Sequence, residues 1–172
     1  YSPSRPDRPD AGSRIANALG FATVSVNMRG TGCSGGVFDV FNKAQQADAY
    51  DVIEVVARQE WVLNNQVGMV GLSYPGITQL YAASTRPPSL AAAVPLSVLA
   101  DPWEMQWPGG VYNKGFTRQW VGEREAAAAA NGSSWVVQLI EEGDATCADN
   151  VGLSHLSIDF DEFLEVCESD DR

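Results

Sequence analysis

The chain has 172 residues, of which 45% are hydrophobic and 9% aromatic, enough to pack one domain of ordinary size. Its formal charge of −11 argues against nucleic acid and against anionic membrane surfaces, both of which reward basic patches. No run of 18 apolar residues is present, so no segment reads as a membrane span, and the three cysteines match no metal-ligand spacing.

The first thirteen residues, with Pro3, Pro6 and Pro9, read as loop. The chain opens on Tyr1 in a polar, Pro-rich stretch and reads as starting mid-protein, so the lack of a signal peptide says nothing about export. A helix is expected from Ser13 to Leu19, closed by Gly20. FATVSVNM, Phe21 to Met28, is apolar and β-branched and predicts a buried strand. RGTGCSGG follows, with four glycines in eight residues. Lys43 to Gln59 predicts a helix, with Ile53, Val55 and Val56 on its apolar side and Asp48, Asp51 and Glu54 on its wet side. Gln66–Leu72 predicts a strand, Gly76–Ser84 a helix stopped by Pro87-Pro88, and Leu90–Val98 a strand interrupted at Pro95. Alternating strands and helices imply an α/β fold with a parallel sheet covered by helices.

After Asp101 the character changes. DPWEMQWPGG reads as a Trp- and Pro-rich loop, and helices are expected over Tyr112–Ala130 and over Ser134–Glu142, the latter capped by Ser133. No later β–α unit is visible. This divides the chain into residues 1–102, the sheet-bearing part, and 103–172, an α-helical cap segment. The acidic stretch 141–171 reads as a solvated tail. Cys147 and Cys167 are a candidate disulfide that would leave Cys33 free. Trp103, Trp107 and Trp120 fit either a substrate pocket or a core.

The stretch VGMVGLSYPGITQL, 67–80, carries the chemistry. A serine hydroxyl becomes a nucleophile only when it is exposed and held beside a base. A tight strand-to-helix corner exposes it, and only small residues fit around such a corner. Gly71 lies two residues before Ser73 and Gly76 three after. The helix that follows would aim its first amides at a developing oxyanion, with the Tyr74 N–H as one donor. Set against the usual G-x-S-x-G pattern, Pro75 occupies the last glycine position.

Four stretches together resemble the cocaine-esterase and X-Pro dipeptidyl-peptidase group of α/β-hydrolases, the CocE/NonD type. They are GFATVSVNMRGTGCSGGVFD (20–39), ADAYDVIEVVARQEW (47–61), NQVGMVGLSYPGITQL (65–80) and AAAVPLSVLADPW (91–103). In that family the glycine falls three residues after the serine, so Pro75 fits. Asn27 stands where an Asp is usual, and Val55-Val56 where Glu-Trp is common. The resemblance implies a partial α/β-hydrolase sheet followed by a helical cap. It implies Ser73 as nucleophile, Tyr74 as an oxyanion amide, and Tyr1 as the place of a second, hydroxyl oxyanion donor. It implies small ester, amide or short-peptide substrates and no cofactor.

The only histidine is His155. The order Ser73, Asp101, His155 matches a hydrolase triad, but His155 sits in acidic, helical surroundings rather than behind a late strand. The resemblance places the acid and base beyond the cap, so the chain reads as the nucleophile half of a hydrolase. Two alternatives remain at this stage. One is a non-catalytic truncated module. The other is a dinucleotide site on Gly30, Gly32 and Gly35, which match G-x-G-x-x-G but do not directly open a helix.

Overall fold

A computed structural model describes residues 8–39, 41–128, 133–154 and 159–169. The described residues divide into two compact units. One takes in residues 8–25 and 39–98, the other residues 26–38 and the described residues from 99 onward.

The first unit is built on two parallel strands, β1 (Val67–Leu72) and β2 (Leu90–Leu96), joined through helix α3 (Tyr74–Ser84). Helix α1 (Ala11–Ala18) and helix α2 (Lys43–Ala57) precede them. Helix α1 starts two residues before the expected Ser13 because Asp10 caps it, its carboxylate accepting from Ser13 N at 3.0 Å and Ser13 Oγ at 2.8 Å. Gly20, at φ +89, ends it as expected. Helix α2 begins at Lys43, with Asn42 as its cap, and stops two residues short of Gln59. Asn65 Nδ2 donates to the Ala57 carbonyl at 3.0 Å and closes that end. Pro95 does not interrupt β2: it pairs with Gly71 at the sheet edge, where a missing N–H is tolerated.

Buried side chains hold the unit together. Ile53 and Ala57 of α2 and Ile77 and Ala82 of α3 form its apolar interior. Glu54 does not face water as expected. It is buried, and its carboxylate accepts from Ser89 N and Ser89 Oγ, each at 3.0 Å. Helix α2 is thereby tied to the turn that enters β2, while Val55 takes the exposed position. The periodicity places Glu54 next to Ile53 on the boundary of the apolar stripe, where a carboxylate points inward once donors await it.

The predicted strand Phe21–Met28 does not form. Among the described residues the sheet has two strands, and Phe21, Val24 and Val26 are exposed. β-Propensity describes how well a residue fits a sheet, and it needs a neighbouring strand to act on. In β1 the residues alternate, Val70 and Leu72 being exposed and Met69 half-buried, so one sheet face lies open.

The second unit is helical after Asp101. The expected loop at 101–110 contains helix α4 (Pro102–Gln106) and a 3-10 turn at Pro108–Gly110. Proline at the first helical position starts α4 rather than breaking it. Helices α5 (Lys114–Ala128), α6 (Ser134–Glu141), α7 (Ala145–Ser154) and α8 (Phe160–Glu168) follow. Ser133 stands at the start of α6 without a capping side-chain bond. The acidic stretch carries helices α7 and α8 rather than a tail, yet most of its carboxylates, among them Glu141, Glu142, Asp149 and Glu162, are exposed as expected; Glu168 instead accepts from Tyr112 Oη at 3.3 Å and pairs with Arg118. Trp103 stacks on Trp107, whose indole N–H donates to the Cys167 carbonyl at 3.3 Å.

The disulfide joins Cys33 to Cys147, and Cys167 is the free thiol. This corrects the pairing expected from the sequence. Cys147 packs in a small core with Val136 and Val151, and one turn on Asn150 Nδ2 donates to the Cys33 carbonyl at 2.9 Å. That bond brings the glycine-rich loop to α7, whereas Cys167 lies on α8, which packs against α5. The link spans 114 residues, and closing a loop of that order stabilises by about 4–5 kcal/mol in the chain-entropy account.

Two outcomes follow. A non-reducing peptide map should link Cys33 to Cys147 with Cys167 alkylated; a Cys147–Cys167 peptide would refute the arrangement. Glu54→Ala should lower the unfolding free energy by roughly 1–3 kcal/mol in urea, because it removes a buried carboxylate that accepts from two half-buried Ser89 donors; a change within error would show the tie to be idle.

Candidate active site

The corner between β1 and α3 is one residue long. Strand β1 ends at Leu72, α3 begins at Tyr74, and Ser73 between them is exposed. Ser73 holds φ 61 and ψ −123, a conformation that L residues rarely adopt and that costs on the order of 1–3 kcal/mol. Its backbone is fixed from both sides. Ser73 N donates to the Leu96 carbonyl of β2 at 2.9 Å, and its own carbonyl accepts from Gly76 N and Ile77 N, each at 2.8 Å. The main chain is thus committed to sheet and helix, and the hydroxyl is what the corner offers to solvent.

Both neighbouring glycines are required by space. A Cβ on Gly71 would stand 2.6 Å from Pro75 Cβ, and one on Gly76 would stand 2.6 Å from the Leu96 carbonyl oxygen. Pro75 lies in the first turn of α3, where its fixed φ and missing N–H suit a helix start. Gln79, fully buried, donates from Nε2 to the Pro75 carbonyl at 3.0 Å and to the Val94 carbonyl at 3.4 Å, pinning the first turn of α3 to β2.

Tyr74 follows Ser73 directly and is buried. Its ring stacks on Phe41 at 4.6 Å, and its hydroxyl donates to Gln45 Oε1 at 3.4 Å. Such a stack contributes about 0.5–1.5 kcal/mol beyond its buried area. Burial pushes the Tyr74 phenol well above the ordinary tyrosine range.

The glycine-rich loop is built differently from a nucleotide cradle. Gly30 and Gly32 have positive φ, Gly30 N donates to the Gly35 carbonyl at 3.0 Å, and the loop folds on itself. Among the described residues no helix leaves it before Lys43, and a Cβ on Gly35 would meet Asn150 Oδ1 at 2.9 Å. Gly35 makes room for Asn150, and helix amides aimed at a pyrophosphate are not found here.

Comparison with known proteins covers most of the chain. The model of the X-Pro dipeptidyl-peptidase (S15) family matches residues 4–153. The chain belongs to this family. Cocaine esterase from Rhodococcus sp. (strain MB1 Bresler) is 39% identical over 93 residues, covering 53% of this chain and 16% of the esterase. The crystal structure of a CocE/NonD family hydrolase from Staphylococcus aureus superimposes with a TM-score of 0.56 at 33% identity, over 67% of this chain and 21% of that one. The chain therefore spans about a sixth to a fifth of the length of these relatives. Its fold is a partial α/β-hydrolase fold.

Asp101 is exposed, and its carboxylate accepts from Trp103 N at 2.8 Å as the cap of α4. Tyr1 and His155 lie outside the described residues. Gln45, Phe41 and Gln79 escaped the sequence reading. Asn42 and Gln45 stand three apart at the start of α2, a spacing that signals a capping box and could have drawn attention to Gln45.

Gly76→Ala should destabilise the chain by roughly 1–3 kcal/mol in urea, since backbone rather than a side-chain tip obstructs the new methyl. Gly68→Ala, whose Cβ would meet the Ala92 carbonyl at 3.7 Å, should be nearly neutral; equal effects at the two sites would contradict the packing argument. The raised Tyr74 phenol has a signed consequence. An unfolded tyrosine ionises near pH ~10 while the folded one stays protonated, so this contribution is complete below that pH and is lost as pH rises above it. The stability lost between about pH 9 and pH 11 should be smaller in Tyr74→Phe than in the wild type; identical slopes would show that Tyr74 is not responsible.

Proposed function

We propose that Ser73 is the nucleophile of an S15-type serine hydrolase acting on an ester or amide bond of a small acyl or X-Pro dipeptidyl substrate. One observation carries this reading: an exposed serine locked at φ 61 between a strand and the first residue of a helix. The reaction runs through an acyl-enzyme. A base takes the Ser73 Oγ proton, Oγ bonds to the substrate carbonyl carbon, and the leaving alcohol or amine departs with a proton. Water then cleaves the new ester and restores the hydroxyl. The Tyr74 amide, first in α3, serves the oxyanion, and Tyr1 is the candidate second donor through its hydroxyl. This chemistry asks for no cofactor. Which acyl or dipeptidyl group is cleaved depends on the pocket around the corner.

The acid and base of the triad are proposed to lie outside this chain. Asp101 is engaged as a helix cap, and His155 sits in a sequence context of helices rather than of a post-strand loop. A hydrolase without its imidazole loses several orders of magnitude in rate.

The chain alone should hydrolyse p-nitrophenyl esters no faster than Ser73→Ala. Added imidazole should stand in for the absent base, and a fluorophosphonate probe should then form an adduct on Ser73 that Ser73→Ala does not form. An adduct elsewhere, or none at any imidazole concentration, would remove Ser73 as nucleophile. Ser73-dependent turnover without imidazole that His155→Ala abolishes would place the base within the chain instead.

A further inference from the structure

Phe41 is an unusual residue for its backbone. It holds φ 57, a left-handed conformation that bulky side chains rarely adopt. Such outliers persist only where the surroundings over-determine them. Here they do. The Phe41 ring lies between two tyrosines of α3, 4.6 Å from Tyr74 and 4.9 Å from Tyr81, nearly parallel to both. Its main chain is gripped from the first turn of α2. Phe41 N donates to Gln45 Oε1 at 3.0 Å, and its carbonyl accepts from Gln46 Nε2 at 3.2 Å.

Gln45 is buried, and the same Oε1 also accepts from Tyr74 Oη at 3.4 Å. One side-chain oxygen thus joins the backbone before α2 to the side chain of the residue after Ser73. Among the described residues, Gln45 Nε2 is buried without a partner. The glutamine oxygen thus serves as the acceptor for two donors.

We infer that Phe41 and Gln45 are positioning residues, clamping the Tyr74 side chain so that the Tyr74 amide is held in place beside the Ser73 hydroxyl. The inference rests on the reading of Ser73 as nucleophile and extends it to residues that touch no reacting atom. A donor stabilises a developing oxyanion only when it is already aimed at it, so the support behind the amide matters as much as the amide. Tyr74 opens α3 immediately after a strained residue, and a ring held on one face and at its hydroxyl restrains its Cα, and with it the amide.

Amide hydrogen exchange, read by mass spectrometry on the chain with its disulfide intact, tests the clamp whether or not Ser73 reacts. Gln45→Leu and Phe41→Leu should each speed exchange in peptides covering 73–78 by about tenfold or more, with peptides covering 90–96 within about twofold of wild type. Gln45→Glu keeps the acceptor and Phe41→Tyr keeps the ring, so both should restore protection. Imidazole-assisted phosphonylation of Ser73 should be faster in Gln45→Glu than in Gln45→Leu. Unchanged exchange at 73–78, a uniform rise across the chain, or no rescue by Gln45→Glu would overturn the clamp, even if Ser73 takes the probe. The expected exchange pattern without any imidazole-dependent adduct would instead overturn the nucleophile, leaving Phe41 and Gln45 as a brace with no catalytic consequence.

Discussion

One residue must turn a strand into a helix. Ser73 does so at φ 61, and the rest of the first unit is arranged around the cost of that corner. Gly71 and Gly76 are glycines because backbone atoms of Pro75 and Leu96 occupy the space of their side chains. The Leu96 carbonyl, on the neighbouring strand, receives the Ser73 amide. The corner therefore depends on β1 and β2 being paired in register, and the parallel pair is as much part of the candidate site as the serine.

Buried polar side chains, more than apolar ones, transmit that register. Gln79 reaches from α3 to the Val94 carbonyl of β2, Glu54 reaches from α2 to Ser89, and Gln45 reaches from α2 to Tyr74. Each would be costly to bury alone and becomes useful because its partners are backbone or hydroxyl groups at fixed positions. Apolar contacts supply the driving force but tolerate sliding; these bonds do not.

Much of this was legible in the sequence. Gly71, Ser73 and Gly76 at their spacing, a β-branched run before them and a helical run after them, announce the corner, because each is forced by local sterics. Helix α2 was legible from its periodicity, yet the side of Glu54 was not, since burial of a carboxylate depends on donors 35 residues away. Phe21–Met28 has the composition of a strand and forms none, because pairing is a property of two segments. The Cys33–Cys147 link was missed for a similar reason: spacing says nothing about which helix a loop meets, and only the fold shows Asn150 of α7 bonded to the Cys33 carbonyl. Phe41 was unremarkable as a letter; its left-handed backbone is visible only in three dimensions.

The strained corner makes the backbone of Ser73 the place to look. Residual dipolar couplings measured by NMR across Leu72, Ser73 and Tyr74 in the oxidised chain report the sign of φ there. The account predicts a positive φ at Ser73 flanked by extended and helical neighbours. An ordinary negative φ, with strand or helix running straight through residue 73, would contradict it.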